Sequence, residues 1–272
     1  MEQQKTMEAQ EIDFLTDVLK KRTGIVVNSD KVYLLENRLK PIAEKFKTHN
    51  ISELIKQIRT SNDETILRDV SNAMTTNETL FFRDTKPFEA LKNVVIPELL
   101  NHKLSKIRIW CAACSTGQEP YSIAIALKEM GLPSNIDVEI LATDINQEVL
   151  NKAREGLYSQ FEVQRGLPSL MLVKYFSQQK HFWKISSEIK DMVTFKEFNL
   201  LDDMQKIGKQ DVVFCRNVLI YFDQKTKKDI VERIRKQTND NGFLFLGSSE
   251  ALFSITENFL RDRFNMGMYR SN

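Results

Sequence analysis

This 272-residue chain lacks any stretch approaching the roughly 20 apolar residues that would cross a bilayer. Its opening residues, Met1–Leu15, are polar and acidic without an apolar run, so no secretory leader or lipid anchor is legible and a cytoplasmic protein is expected. Cysteine is scarce: three residues, an odd count without framework spacing, fit a reducing compartment better than a disulfide scaffold. A charge excess is also missing. The formal net charge of +2 leaves little of the basic surplus that phosphate neutralisation demands, which sets nucleic acid aside as a partner. The three histidines, His49, His102 and His181, are scattered and have no acidic or cysteine partner at ligand spacing. Cys111-x-x-Cys114 has neither a second pair nor a nearby histidine, so no metal is expected. There is no internal repeat and no low-complexity segment. What remains is ordinary globular composition, 42% hydrophobic and 28% charged, in a chain longer than one typical domain.

Two textures divide it. Apolar residues recur at helical spacing in Ile12, Leu15, Val18 and Leu19, again in Val32, Leu35 and Leu39, and again in Leu54, Ile55, Ile58, Ile66, Leu67 and Val70. Gly24 supplies a stop, and Asn28-Ser29-Asp30 a new N-cap. After Pro97, short β-rich runs alternate with helical patterns: 107–111, 138–143, 193–198, 211–215 and 243–246. That alternation predicts a mostly parallel, doubly wound sheet covered on both faces. A last run, 264–270, follows Phe259 closely enough to pair as an antiparallel hairpin. The boundaries read as a helical domain over 1–90 and an α/β domain over 91–272. The stretch at about 157–190, with Gly166, Pro168, Tyr175, Phe176 and a hairpin around His181–Ile185, breaks the alternation and is an insertion, either a surface excursion or a partner-docking module.

The run from Ile107 to Ser122 passes from a buried strand through small residues into a helix. Small side chains let a ligand approach the backbone at the carboxyl end of a strand, where open α/β sheets bind cofactors. The spacing is not Gly-x-Gly-x-x-Gly, so a pyrophosphate has a poor cradle there. Asp144 ends the second strand, where a carboxylate can accept from both hydroxyls of a ribose, although strand-end aspartates are also commonly caps. Asn199 and Leu200 follow the third strand, and Arg216, Asn217 and Val218 the fourth, so four strand ends converge on one crevice.

In Thr75–Arg83 (TTNETLFFR), Cys114–Ser122 (CSTGQEPYS), Ala142–Ile145 (ATDI), Phe198–Leu201 (FNLL) and Phe214–Phe222 (FCRNVLIYF), the chain resembles the CheR family of chemotaxis protein methyltransferases, from about Ile12 to Tyr269. The resemblance implies a Rossmann-like S-adenosylmethionine methyltransferase domain behind an N-terminal helical domain, with a small β subdomain inserted. It implies S-adenosylmethionine contacts at Asn77, Thr79, Arg83, Glu119, Asp144, Asn199, Leu200, Asn217 and Val218. Gln118 and Ala113 stand where an acid and a glycine are more often found, while Glu119 is retained. The implied reaction is O-methylation of glutamate γ-carboxylates on chemoreceptors, giving glutamate methyl esters and S-adenosylhomocysteine in adaptation, by a monomer that is not inserted in the membrane.

Glutamate is ionised at neutral pH, so this chemistry needs orientation and a dry site rather than a strong general base. Arg83 is the catalytic candidate, because a guanidinium holds a carboxylate in a fixed fork. Its other reading is an ion pair with Asp84 or Glu119. Tyr221 would add an aromatic wall and a hydroxyl beside the methyl group. Lys31, Arg38 and Lys45, spaced by seven, lie on one helical stripe if the helix survives Pro41, and could steer an acidic, glutamate-rich receptor helix or be a solvated face. Methylation of nucleic acid or a small molecule on the same fold is disfavoured by the near-neutral charge and by the lack of an Asn-Pro-Pro-Tyr-type loop. A catalytically idle S-adenosylmethionine sensor is disfavoured by the presence of Arg83 and Tyr221.

Overall fold

The computed structural model describes residues 7–27, 32–61, 63–102 and 104–272. Residues up to Thr76, joined by Tyr221–Asp223, form one compact unit, and Asn77–Ile220 with Gln224–Asn272 form a second. The division falls after Thr76 instead of at position 90, because Phe81, Phe82 and Phe88 are buried in the core of the second unit.

The first unit is helical: α1 (Ala9–Thr23), α2 (Val32–Lys45), α3 (Ile51–Ser61) and α4 (Glu64–Met74). Its core gathers the residues singled out by the periodicity, Leu15, Leu19, Leu35, Leu39, Leu54, Ile55, Ile58, Ile66, Leu67 and Val70, with Ile12 and Val18 packed at its margin. At about 1.5–3 kcal/mol for each large aliphatic side chain removed from water, this cluster is what holds four short helices together. Gly24 ends α1 in the left-handed conformation (φ 75°), its N–H donating to Lys20 O at 2.9 Å. Helix α2 continues through Pro41, so Arg38 and Lys45 do share one helix. The proposed N-cap at Asn28-Ser29-Asp30 and the cation Lys31 lie outside the described residues.

The second unit opens with α5 (Lys86–Ala90), a π turn over Leu91–Val95 and α6 (Ile96–Asn101). Then follow β1 (Lys106–Ala112), α7 (Gln118–Met130), β2 (Asp137–Asp144) and α8 (Gln147–Glu155). The insertion comprises β3 (Leu157–Ser159), α9 (Gln160–Gln164), α10 (Ser169–Tyr175), β4 (Phe176–Gln179), β5 (Phe182–Ile185) and α11 (Ser187–Lys190). The chain ends with β6 (Val193–Glu197), β7 (Gln210–Cys215), α12 (Gln224–Gln237), β8 (Thr238–Phe245), β9 (Phe259–Arg261) and β10 (Met268–Ser271).

The main sheet has strand order β6-β2-β1-β7-β8-β10-β9. Its first five members are parallel, and β10 pairs antiparallel with both β8 and β9. The final hairpin therefore exists, with its second strand starting at Met268, not at Phe264, which is 93% exposed. Every residue of β7 is buried, as a strand covered on both faces must be. The chain leaves β1 for β2 on one side, and β7 lies on the other, so the strand order switches at β1 and opens a crevice at the carboxyl ends there.

The insertion forms its own antiparallel sheet of order β3-β5-β4. Its inner face belongs to the main core, where Tyr158 meets Phe81 edge-on at 5.0 Å and Phe176 meets Phe81 at 5.5 Å. Gly166 (φ 87°) fits only as glycine, since a Cβ would stand 2.1 Å from the carbonyl oxygen of Phe81. The outer face leaves Phe161, Leu170 and Val173 exposed.

Candidate active site

The loop between β1 and α7 is the first wall. Ala113 (φ 59°), Ser115 (φ 51°) and Gly117 (φ 91°) all adopt left-handed backbone, yet only one of them is glycine. Such conformations cost on the order of 1–3 kcal/mol each for residues with a Cβ and persist where the surroundings enforce them. The enforcing bonds are visible. Cys114 N donates to Thr143 O (2.8 Å), Ser115 Oγ to Asn77 O (2.7 Å), and Tyr158 Oη to Thr116 O (2.8 Å). At Gly117 a Cβ would approach Ala153 Cβ to 2.9 Å and Tyr158 Oη to 3.2 Å.

Asp144 ties this loop to the next one. One carboxylate oxygen accepts from Ser115 N at 2.8 Å and the other from Asn146 N at 2.9 Å. Burial pushes its carboxyl above the ordinary aspartate range, against the opposing pull of those N–H donors. Two oxygens offer about four lone-pair directions, so the tie leaves acceptor capacity for a diol. The main chain continues the contact: Phe198 N donates to Asp144 O at 2.9 Å, and Asn199 Oδ1 accepts from Leu201 N at 3.0 Å. Trp110 supports the floor, donating from Nε1 to Thr143 Oγ1 at 2.9 Å and meeting Phe198 edge-on.

The third wall is ionic. Arg216, whose side chain is 1% exposed, donates to Glu119 Oε2 at 2.5 Å, to Asp84 Oδ2 at 2.8 Å and to the main-chain oxygen of Arg83 at 2.9 Å. Cys111 Sγ approaches the other Glu119 oxygen at 3.0 Å. The ion pair with Asp84 or Glu119 considered for Arg83 is not formed among the described residues, where both acids pair with Arg216 instead. The Arg83 guanidinium reaches the Glu78 carbonyl oxygen at 3.3 Å and pairs with no carboxylate among the described residues.

The fourth wall follows β7. Asn217 is left-handed (φ 58°), and the turn is held by Glu250, a residue the sequence reading did not single out. The buried Glu250 carboxylate accepts four main-chain N–H groups: Asn217 (2.7 Å), Val218 (3.0 Å), Leu219 (2.8 Å) and Gly247 (2.7 Å). Gly247 leaves no room for a side chain, because a Cβ would meet Asn217 Nδ2 at 2.6 Å. The available signal was an acid in the Gly-Ser-Ser-Glu segment just past the fifth strand.

The second unit thus holds Asn77, Thr79, Arg83, Glu119, Asp144, Asn199, Leu200, Asn217 and Val218. Asn77 is linked to the Asp144 wall through Ser115, and Glu119 to Arg83 through Arg216. Tyr221 groups with the helical unit, where its carbonyl accepts from Val26 N at 3.0 Å. Of the basic stripe, Arg38 donates to Met74 O (2.9 Å), Thr75 O (3.2 Å) and Thr76 Oγ1 (3.2 Å) at the end of α4, and Lys45 pairs with Asp69 at 2.6 Å. All three histidines are exposed, and the three cysteines are buried and free.

The donor set suits S-adenosylmethionine. Two carboxylates, Glu119 and Asp144, stand where α7 begins, and Asp144 already occupies the Ser115 N–H that a phosphate would want. With Glu119 paired to Arg216, the anionic group left at this loop is Asp144, which disfavours a pyrophosphate there and keeps acceptor directions of the kind a ribose diol would use, while Asn199 and Asn217 stand at neighbouring strand ends. No group of three or more His, Cys, Asp or Glu able to hold a metal occurs among the described residues, and no helix among them is long and apolar enough to cross a membrane.

Comparison with known proteins agrees with this geometry. A family model described as "CheR methyltransferase, SAM binding domain" matches residues 77–265, and one described as "CheR methyltransferase, all-alpha domain" matches residues 10–75. The chain is 41% identical over 247 residues to chemotaxis protein methyltransferase Cher2 of Pseudomonas putida, covering 89% of this chain and 90% of that one. It is 42% identical over 248 residues to chemotaxis protein methyltransferase 1 of Pseudomonas aeruginosa, with coverage of 89% and 90%. Chemotaxis protein methyltransferase 1 of Vibrio cholerae is 37% identical over 270 residues, 97% of each chain. With both family models side by side and relatives matched over nearly their whole length, the chain belongs to the CheR family of chemotaxis protein methyltransferases and carries its S-adenosylmethionine-binding domain.

Proposed function

We propose that this protein methylates glutamate γ-carboxylates in the cytoplasmic helical region of chemoreceptors, releasing S-adenosylhomocysteine and leaving a glutamate methyl ester. The observation that carries the proposal is the identity of 41–42% to two chemotaxis protein methyltransferases over about nine-tenths of both chains. The site chemistry supports it. When bound, S-adenosylmethionine supplies a methyl group on a positively charged sulfur, which an anionic carboxylate oxygen displaces with neutralisation of opposite charges. Asp144, Asn199 and Asn217 would hold the ribose and polar groups of the cofactor, and Leu200 and Val218 would pack against its adenine. Arg83, which pairs with no acid among the described residues, would orient a carboxylate. No residue has to remove a proton, because the acceptor is already ionised.

Neutralising receptor glutamates would remove like-charge repulsion between packed helices and so alter signalling. Lys31, Arg38 and Lys45 remain the proposed receptor-facing cations, acting as a monomer's steering surface. The test is transfer of labelled methyl groups to purified receptor cytoplasmic fragments. Label released by mild base as methanol, and lost when receptor glutamates are replaced by alanine, is the expected result. Absence of transfer to every receptor fragment from the same cell would sink the proposal.

A further inference from the structure

We infer that Arg216 is a positioning residue for this site: it fixes the turn from which Arg83 projects by bolting that turn to Glu119. The inference rests on the reading of Arg83 as a group that contacts the cofactor, so an Arg83→Ala variant with unchanged S-adenosylhomocysteine affinity would overturn it.

The turn is an unfavourable piece of chain. Phe82 (φ 49°), Asp84 (φ 64°) and Thr85 (φ 29°) all carry positive φ without being glycine, and Thr85 is β-branched, the type least suited to it. Local bonds hold its end: Thr85 N donates to Phe82 O at 3.0 Å, Lys86 N makes a tight contact with Asp84 O, and Thr85 O accepts from Phe88 N (3.0 Å) and Glu89 N (3.2 Å) as α5 begins, but none of them ties residues 82–84 to the site. Two tertiary anchors do. Phe82 N donates to Ser122 Oγ at 2.9 Å, which pins the beginning of the turn to α7. Arg216 pins the remainder, with one Nη on Glu119 in the first turn of α7 and the other shared between Asp84 Oδ2 and Arg83 O.

The geometry requires a guanidinium. Three acceptors on two separate elements are met by two nitrogens of one rigid plane, and its face lies over the Phe88 ring at 5.8 Å. A lysine ammonium is a point donor on a flexible stem and does not reproduce the fork that spans Glu119, the Asp84 carboxylate and the Arg83 carbonyl together. The Nε of Arg216 is buried without a partner, so the side chain is aimed by its two Nη groups alone. Arg216 is also the residue immediately before Asn217, so one short segment fixes both the Arg83 turn and the loop that Glu250 holds.

The experiment is a double-substitution cycle read by titration with S-adenosylhomocysteine, comparing Arg216→Lys, Arg83→Ala and the pair. If Arg216 acts through Arg83, each single variant weakens binding by about tenfold or more, the scale of a lost charged hydrogen bond, and the pair is no weaker than Arg83→Ala alone. Losses that multiply would overturn the inference, since they mean Arg216 acts independently of Arg83. Should Arg216→Lys fail to fold, Asp84→Asn replaces it. Its side chain is 38% exposed, so the fold should tolerate the change, and the same non-additivity with Arg83→Ala at an unchanged melting temperature is expected. Full additivity there overturns the inference equally. Wild-type protein that binds no S-adenosylhomocysteine would overturn the cofactor reading itself, and the inference with it, a result distinct from additivity.

Discussion

Glu250 Oε2 accepts the main-chain N–H of Asn217 at 2.7 Å, and the same oxygen accepts that of Gly247 at 2.7 Å, so one carboxylate joins the loops that follow β7 and β8. Its second oxygen takes Val218 and Leu219. A buried anion facing four N–H dipoles acts as the floor of the turn on which Asn217 and Val218 sit.

Glu250→Gln should therefore cost more than a typical conservative change. The amide turns one acceptor into a donor facing N–H groups, leaving buried donors unmet at about 1–3 kcal/mol each. The expected outcome is a loss of roughly 2–4 kcal/mol in denaturant-monitored stability, together with weakened S-adenosylhomocysteine binding. Wild-type stability in this variant would show that the four contacts have no net worth.

Asp144 gives the site a pH dependence. Burial raises its folded carboxyl above the unfolded value, so the fold favours the protonated form. Its contribution to stability is greatest below the unfolded value and declines as pH rises through the folded one, so ionised Asp144 is a net cost at neutral pH. A diol requires the ionised acceptor, so cofactor affinity should run the opposite way and fall as pH drops through the raised value. Titration with S-adenosylhomocysteine across mildly acidic to neutral pH should show that decline, and Asp144→Asn should bind weakly with a flat profile. An unchanged slope in Asp144→Asn would assign the pH dependence to another group.

Much of this was legible from residue order. The core of the helical unit follows directly from periodicity at Leu15, Leu19, Leu35 and Leu39, because a small bundle buries one stripe per helix and nothing else competes. The parallel strands were legible because β-rich runs buried on both faces have no alternation to confuse. The strand-end residues were visible for the same topological reason. The boundary was not, since Phe81, Phe82 and Phe88 look the same whether they serve one core or the other. Nor were Arg216 and Glu250 visible in their roles: their partners lie 132, 97 and 33 residues away, and a buried charge is identified only by what it touches.

The loop after β1 should be intolerant at Gly117. Alanine there combines a φ of 91° with a Cβ 2.9 Å from Ala153 Cβ, 3.2 Å from Tyr158 Oη and 3.3 Å from the Tyr121 ring, none of them the end of a flexible chain. Loss of about 2–4 kcal/mol is expected from strain and overpacking together, read as a lowered melting temperature. Gly131→Ala is the control, with similarly positive φ (60°) but nothing within 4 Å of the added methyl, and should cost only the conformational part.

Arg38 separates architecture from docking. Its guanidinium bonds the carbonyl oxygens at the end of α4, where a cation also faces the negative end of the helix dipole. Arg38→Lys keeps the charge but loses the fork, so it should lower the stability of the helical unit by about 1–2 kcal/mol while leaving long-range attraction to an acidic receptor intact. Arg38→Ala should lose both. With receptor fragments as acceptor, the lysine variant is expected to keep a KM near wild type and its salt dependence, whereas the alanine variant raises KM most at low ionic strength, where a steering charge is least screened. If both variants raise KM equally and the effect ignores salt, Arg38 matters to the receptor only through the helix end it caps, and the steering charge must be sought elsewhere on α2.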